Sequence, residues 1–274
     1  MAAGRILLTG ATGFVGRQIL RELHEQRRRV RLIVRDKAAL PPYETIEDVI
    51  PTQNLWDESD AWLADVCRDV DTIVHAAWYA EPGQYLQSAK NFDCLAGTMR
   101  LAEAAVQSKV RRFAGVGSCF EYDLKRGDLP ADAPLSPSTP YALAKVAAFT
   151  SLSQAMPQRG VEFLWCRLFY LYGEGESPQR FVPYLRSKLA AGEHADLTSG
   201  TQVRDYLDVR DAGRMIVEAA LGEQQGAINI CSGQPVTIRQ FAETIADEYG
   251  RRDLLRFGAR PDNLVDPPRV VGIR

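Results

Sequence analysis

The sequence places Tyr141 and Lys145 four residues apart, a spacing that puts both side chains on one face of a helix. An ammonium beside a phenol stabilises the phenolate, so we expect Lys145 to lower the pKa of Tyr141 from its ordinary value of about 10. A tyrosine with such a pKa can exchange a proton with a carbonyl or a carbinol near neutral pH. Because Tyr and Lys at this spacing also occur on many solvated helices, the pair alone does not decide the function.

Ser118 is a third candidate for chemistry. It follows the run 113–117, whose apolar and small residues predict the end of a buried strand. A hydroxyl at that place can hydrogen-bond a reacting oxygen and orient it. Without the other motifs, an ordinary loop serine is an equally good interpretation.

Three glycines near the start of the chain predict a phosphate-binding turn. Gly10, Gly13 and Gly16 follow the apolar run 6–8 and open the helical pattern 14–23. Glycine permits a positive φ and a close approach of the backbone to a pyrophosphate, which the N–H groups of a helix N-terminus can hold. The arrangement indicates a dinucleotide site, although the spacing is one residue longer than the commonest fingerprint. The alternative is a glycine-rich connection in another α/β protein.

The elements that must position these residues alternate between strand and helix. Strands are predicted at 6–8, 30–34, 72–75 and 113–116, and helices at Tyr85–Gln107 and Tyr141–Met156. This order predicts an α/β fold of the Rossmann type, a doubly wound parallel sheet that binds ligands beyond the carboxyl ends of its strands.

The second half of the chain is more mixed. Strands are predicted at 161–165 and 227–230, and helices at 181–191, 209–221 and 238–249. We predict an NAD(P)-binding domain over 1–166 and a smaller C-terminal substrate-binding lobe over 167–274, interleaved with the first domain.

Composition restricts the partners. The formal net charge of −2 argues against a nucleic-acid partner, and no apolar run approaches the ~18 residues of a membrane span. Five scattered cysteines and three scattered histidines predict reduced thiols and no metal site. The chain leads directly into its first strand, so we expect no signal peptide and a cytoplasmic location.

The end of the second strand bears on the choice of cofactor. An acidic residue there accepts hydrogen bonds from the ribose 2′-hydroxyl and selects NAD, whereas an arginine pairs with the 2′-phosphate of NADP. The strand 30–34 is followed by Arg35 and then Asp36. We favour NADP with Arg35 at the discriminating place; NAD is the alternative if the strand ends one residue later.

Taken together, the motifs resemble the extended short-chain dehydrogenases/reductases, the NAD(P)-dependent nucleotide-sugar epimerase/dehydratase/reductase family. The resemblance covers nearly the whole chain, and the segments that carry it are Gly10–Gly16, His75–Ala77, Gly117–Tyr122, Tyr141–Lys145, Arg167–Gly173, Arg204–Asp211 and Asn229–Gly233. It implies a catalytic triad of Ser118, Tyr141 and Lys145.

The resemblance also implies binding residues and a homodimer. The implied cofactor contacts are Gly10, Thr12, Gly13, Phe14, Val15, Gly16, Arg35, His75, Ala76, Ala77, Tyr141 and Lys145. The implied substrate contacts are Cys119, Arg180, Arg204 and Arg260, with Arg204 on an exposed loop gripping the substrate diphosphate. The implied dimer joins the helices Tyr85–Gln107 and Tyr141–Met156 of two subunits through apolar positions such as Leu95, Leu101, Ala144 and Ala148.

Departures from the family pattern narrow the reaction. The sugar 4,6-dehydratases of the family carry an acidic pair directly after the catalytic Ser or Thr, or one Glu two positions after it. Here those places hold Cys119 and Phe120, and Glu121 comes one position too late. Tyr170 also replaces an Asn that contacts substrate in other members. We therefore predict NADP-dependent reduction of a nucleotide-linked 4-keto-sugar. An NAD-dependent nucleotide-sugar 4-epimerase is the alternative, and a non-catalytic dinucleotide sensor is a third hypothesis.

Overall fold

The computed structural model describes residues 4–263 and 266–274. The helices in these ranges are α1 Gly16–Glu25, α2 Asp60–Val66, α3 Lys90–Gln107, α4 Pro140–Gln158, α5 Phe181–Ala190, α6 Val209–Leu221 and α7 Ile238–Asp247. The strands are β1 Ile6–Thr9, β2 Val30–Val34, β3 Ile46–Pro51, β4 Thr72–His75, β5 Arg112–Ser118, β6 Asp128–Leu129, β7 Glu162–Leu168, β8 Tyr170–Tyr172, β9 Ala195–Leu197, β10 Val203–Arg204, β11 Tyr206–Asp208, β12 Gly226–Ile230, β13 Val236–Thr237, β14 Leu255–Phe257 and β15 Arg269–Gly272.

A parallel sheet in the order β12-β7-β5-β4-β1-β2-β3 forms the centre of the molecule. Successive side chains of a strand point to opposite faces, so the apolar run of β1 supplies both sides of the sheet. Ile6 and Leu8 join the core that contains Ile19 of α1, whereas Leu7 joins the opposite core with Leu101 of α3. The predicted doubly wound Rossmann-type sheet is therefore confirmed.

The two halves of the chain are interleaved through this sheet. Strand β7 runs across the predicted boundary at residue 166, and β12 returns from the C-terminal half to form the sheet edge beside β7. Helix α6 packs closely on α1, since a Cβ on Gly213 would lie 2.8 Å from the backbone of Gln18. A separate apolar cluster in α5, β9 and α7 includes Leu185, Ala195 and Ile245. The division at 166 stays a prediction.

The helix predicted from Tyr85 begins only at Lys90, after a 3₁₀ turn at Tyr85–Gln87. The Asn91 amide donates to the carbonyl oxygens of Tyr85 and Ser88 at 2.6 and 2.8 Å, which withdraws those carbonyls from a continuous helix. Strand β3, helix α2 and the tail strands β14 and β15 were not predicted. Their sequences are short or half-exposed, and their pairing depends on distant partners.

Four apolar residues were predicted to form the dimer interface, and for three of them this prediction is wrong. Leu101, Ala144 and Ala148 are fully buried within the subunit, so they are unavailable to a partner. Leu95 is partly buried against the core below α3. The exposed apolar side chains of this region are instead Phe92 on α3 and Leu143 on α4.

Three further structural features concern residues 4–263 and 266–274. No helix there is long and apolar enough to cross a membrane, and no group of three His, Cys, Asp or Glu side chains could hold a metal ion. All five cysteines are free and buried.

Candidate active site

The glycine turn after β1 is shaped by close backbone contacts. Gly10 has φ +76°, and a Cβ on it would lie 2.7 Å from the amide nitrogen of Ala77. A Cβ on Gly16 would overlap the carbonyl oxygen of Gly10. Both positions therefore require glycine, the first for its backbone conformation and the second for the approach of α1 to the turn.

This turn fits the pyrophosphate of a dinucleotide. It leads into the N-terminus of α1, where the partial positive charge of the helix lies. In the described part of the chain, the backbone N–H groups of Phe14 and Val15 have no hydrogen-bond partner, so they can donate to phosphate oxygens. Arg17 donates to the Thr12 carbonyl at 3.1 Å and braces the turn from its first helical residues.

The imidazole of His75, a predicted cofactor contact, is enclosed beneath the turn. Its Nδ1 is hydrogen-bonded to Thr9 and its Nε2 to Thr98, each at 2.9 Å. Burial, with a smaller contribution from Lys145, lowers the pKa of His75 to about 3, so the ring is neutral. Since both ring nitrogens are occupied, the surface next to Gly10 is formed by the backbone of Ala76 and Ala77.

Strand β2 ends at the residue that was predicted from the sequence. The strand ends at Val34, and exposed Arg35 is the next residue. The Asp36 carboxylate accepts from the Ala38 amide at 2.8 Å and caps a 3₁₀ turn. Arg35 is thus the first side chain beyond the strand, and Asp36 already has a partner within the chain.

The predicted triad comes together at the end of β5 and the start of α4. Ser118 is the last residue of β5, and Thr139 caps α4 by accepting from the Ala142 amide at 3.2 Å. The Ser118 hydroxyl interacts favourably with the Tyr141 phenolate and so acts to lower the pKa of Tyr141. Burial raises the pKa of Tyr141 and outweighs the effect of Ser118. The proximity of Tyr85 raises it further, so the pKa of Tyr141 lies well above its ordinary value.

The prediction that Lys145 lowers the pKa of Tyr141 is therefore wrong for this structure. Lys145 Nζ donates to the Val116 carbonyl at 2.6 Å and lies 3.6 Å from the centre of the Trp78 ring. It is 6.0 Å from the centre of the Tyr141 ring. Burial lowers the pKa of Lys145 to about 7, against the opposing attraction of Glu121. The tyrosine is thus held as a neutral phenol.

Glu121 lies in an ion pair beneath the site. Its carboxylate accepts from Arg167 Nε at 2.7 Å, from the Trp165 indole at 3.0 Å and from the Ser118 amide at 2.8 Å. Glu121 and Arg167 are 0% and 1% exposed. A carboxylate with these partners positions Ser118 and has no free oxygen edge for acid–base chemistry on a substrate.

Cys119 and Arg204 both lie near Tyr170. The prediction that Arg204 lies on an exposed loop is wrong. Arg204 is the last residue of β10, is 3% exposed, and its guanidinium lies 5.3 Å from the Tyr170 ring centre. Burial raises the pKa of Cys119 to about 12, Glu121 adds to the rise, and Arg204 opposes it. Cys119 is therefore a neutral thiol at physiological pH. Its backbone belongs to the turn that follows Ser118.

The other two predicted substrate arginines differ in position. Arg180, at the start of α5, lies close enough to Tyr85 to act on its pKa, and the Tyr85 ring meets Tyr141 edge-on at 4.9 Å. Arg260 donates to the Tyr184 hydroxyl at 3.0 Å, and none of its contacts within the described ranges is with the triad. The structure therefore brings Arg180 towards the reacting end and places Arg260 beside Tyr184 of α5.

Trp78 and Tyr85 are site residues that the sequence reasoning missed. Trp78 lies on Lys145, and Tyr85 contacts both Tyr141 and Arg180. The sequence did carry one indication for Trp78: it comes directly after the turn 75–77, where the carboxyl end of β4 reaches the site.

A comparison with models of protein families identifies the family to which this glycine turn and this triad belong. The model described as the NAD dependent epimerase/dehydratase family matches residues 6–231. The chain belongs to this family. Its membership of the extended short-chain dehydrogenases/reductases and its activity as an NAD(P)-dependent enzyme, both predicted from the motifs, are thereby confirmed.

Several members of the family are similar over most of the chain. The dTDP-6-deoxy-L-talose 4-dehydrogenase (NAD(+)) of Aggregatibacter actinomycetemcomitans is 22% identical over 98% of this chain and 99% of that protein. The GDP-6-deoxy-D-mannose reductase of Pseudomonas aeruginosa is 27% identical over 89% of this chain and 79% of that protein.

Solved structures agree on the fold. The UDP-N-acetylglucosamine 4-epimerase from Methanobrevibacter ruminantium M1, in complex with UDP-N-acetylmuramic acid, superposes with a TM-score of 0.85 at 22% identity, covering 100% of this chain and 90% of that chain. MoeE5 in complex with UDP-glucuronic acid and NAD gives a TM-score of 0.80 at 26% identity, covering 98% and 90%.

Proposed function

We propose that the protein is a reductase that uses NADPH to convert the 4-keto group of a nucleotide-linked sugar to an alcohol. The observation that carries the proposal is the convergence of Ser118, Tyr141 and Lys145 at the end of β5 and the start of α4, where the nearby Glu121 carboxylate is already paired with Arg167. A protonated donor is the state that reduction of a carbonyl requires. Relatives named as a 4-dehydrogenase and a reductase of 6-deoxy-sugar nucleotides support this class of substrate.

The triad would act on the carbonyl oxygen. Tyr141 donates its proton to that oxygen, while the Ser118 hydroxyl holds it by a hydrogen bond and fixes its orientation. The Lys145 ammonium, on the same face of α4 and 6.0 Å from the centre of the Tyr141 ring, would offset part of the effect of burial and so favour the phenolate that remains. Bound NADPH supplies the hydride that reduces the carbonyl carbon.

The residues after Ser118 argue against elimination of water from the sugar. Cys119 is a neutral thiol, Phe120 carries no titratable group, and the Glu121 carboxylate is occupied by Arg167. A dehydratase needs a free acid and a free base at this place. We therefore do not assign to this chain the reaction of the relatives named as dTDP-glucose 4,6-dehydratases.

We propose NADPH as the cofactor because Arg35 is the first side chain beyond β2. Its exposed guanidinium suits a 2′-phosphate through paired charge-assisted hydrogen bonds. The carboxylate of Asp36 lies one residue further from the strand, where one of its oxygens caps a 3₁₀ turn by accepting from the Ala38 amide.

We also propose a homodimer through α3 and α4. These helices pack side by side and expose Phe92 and Leu143, each 50% accessible, in place of the residues predicted from the sequence. Sedimentation at micromolar concentration should show a dimer for the wild type and a monomer for Leu143→Glu. A monomeric wild type would contradict this assembly.

The reaction can be tested with a panel of UDP-, GDP- and dTDP-linked 4-keto-6-deoxy-sugars. The wild type should consume NADPH in proportion to alcohol formed, and Tyr141→Phe should lose about 10²–10⁴-fold in kcat while its affinity for NADPH is unchanged. Interconversion of 4-epimers without added cofactor, with no NADPH consumed, would instead favour the NAD-dependent 4-epimerase.

A further inference from the structure

The indole of Trp78 forms one wall around the catalytic ammonium. Lys145 Nζ lies 3.6 Å from the centre of the ring, well inside the distance at which a cation is attracted to an aromatic face. The Trp78 N–H donates to Asn91 Oδ1 at 2.8 Å, so the plane of the ring is fixed. Tyr141 meets the same indole edge-on at 6.4 Å.

Few other groups stabilise the charged form of Lys145. It is 4% exposed, and its one hydrogen bond within the described ranges is to the Val116 carbonyl. It has no ion pair there, because the Glu121 carboxylate is engaged by Arg167. A buried ammonium without a carboxylate partner readily loses its proton. Two aromatic rings can also hold the charged form in place, and the Trp78 face, at 3.6 Å, is much nearer than the Trp165 ring at 5.6 Å.

Asn91 links this wall to the neighbouring segment of the site. It is 0% exposed, and its amide nitrogen donates to the carbonyls of Tyr85 and Ser88 while its oxygen accepts from Trp78. The Tyr85 ring in turn contacts Tyr141 at 4.9 Å. One buried amide thus fixes the aromatic groups that surround both the lysine and the tyrosine.

We propose that Trp78 is a positioning residue for the reaction, holding the Lys145 ammonium in the site through its ring face while Asn91 holds the indole. The proposal rests on the proposed role of Lys145 in the reduction, although the contact itself can be tested without substrate. Trp78 does not touch the reacting oxygen in this scheme; it acts through Lys145.

The proposal predicts a specific change in protonation. Replacing the indole by a leucine removes the aromatic face, so the pKa of Lys145, about 7 in the wild type, should fall by about one unit. One unit corresponds to about 1.36 kcal/mol. The charged fraction at pH 7 then falls from about one half to about one tenth, and kcat at this pH should fall about fivefold.

The test follows Lys145 by NMR in the protein without substrate. Lysines carry ¹³C at Cε, and the Lys145 signal is identified by its loss in Lys145→Met. We expect a pKa about one unit lower in Trp78→Leu, a smaller fall in Trp78→Phe, which keeps an aromatic face but loses the bond to Asn91, and no change in the control Trp62→Leu on α2. Thermal unfolding verifies that each variant is folded.

The outcomes separate the contact from the reaction. An unchanged pKa in folded Trp78→Leu, or an equal fall in the Trp62→Leu control, would overturn the positioning role. A fall in Trp78→Leu with an unchanged basic limb of the kcat profile would support the contact and overturn the proposed role of Lys145 in reduction instead.

Discussion

The substitution Glu121→Gln tests whether the buried carboxylate is structural. Glu121 and Arg167 are 0% and 1% exposed and lie 2.7 Å apart, so the amide would leave the guanidinium buried without a counter-charge. Breaking a buried pair from one side costs about 3–5 kcal/mol of the free energy of unfolding. This is a large part of the ~5–15 kcal/mol that a typical protein has.

Urea unfolding at low temperature measures that loss, and kcat is measured on the folded protein. We expect the free energy of unfolding to fall by about 3–5 kcal/mol, with kcat lowered only several-fold, since the glutamine oxygen can still accept from the Ser118 amide. The double variant Glu121→Gln/Arg167→Met removes both charges and should regain part of the stability.

A matched control is Glu103→Gln, which breaks the exposed pair between Glu103 and Arg159 and should change stability little. The reasoning would be refuted by a Glu121→Gln variant that is as stable as the wild type but has lost about 10²–10⁴-fold in kcat. That result would make Glu121 a catalytic acid or base and would reopen the dehydratase reaction.

Three further substitutions test the cofactor site, the substrate site and a buried histidine. Arg35→Asp should lower the ratio of kcat/KM for NADPH to that for NADH, because repulsion replaces a charge-assisted pair; an unchanged ratio would place the 2′-phosphate elsewhere. Arg204→Ala should raise KM for the nucleotide sugar far more than it lowers kcat, and an unchanged KM in a folded variant would contradict a grip on the diphosphate. His75 resists protonation in the folded state down to about pH 3, whereas its unfolded value is about 6.5, so acid favours the unfolded chain. Between pH 8 and pH 5 this one group should remove about 2 kcal/mol from the free energy of unfolding. His75→Gln should lose that part of the pH dependence, as followed by urea titrations at both pH values.

Local patterns in the sequence were enough to predict the frame of the molecule. The bounds of β2 and α6 agree with the predicted segments 30–34 and 209–221, because each is marked by the periodicity of its own apolar residues. The positive φ of Gly10 likewise follows from residue type and spacing, and the helix predicted over 14–23 is present, although it begins at Gly16. Tyr141 and Lys145 needed only the pitch of one helix to share a face.

What the sequence could not predict was the environment of the charges. Lys145 turns to the Val116 carbonyl and the Trp78 ring, and Arg204 is buried beside Tyr170. These contacts join segments that are far apart in the chain, so no local spacing encodes them.

The protonation states depend on the same contacts. Spacing predicted a lowered pKa for Tyr141, whereas burial, to which Tyr85, Glu121 and Cys119 add, raises it. Desolvation is a property of everything that surrounds a group in three dimensions. The sequence by itself thus determined that Ser118, Tyr141 and Lys145 lie together, and the tertiary structure alone decided which groups surround them and which are charged there.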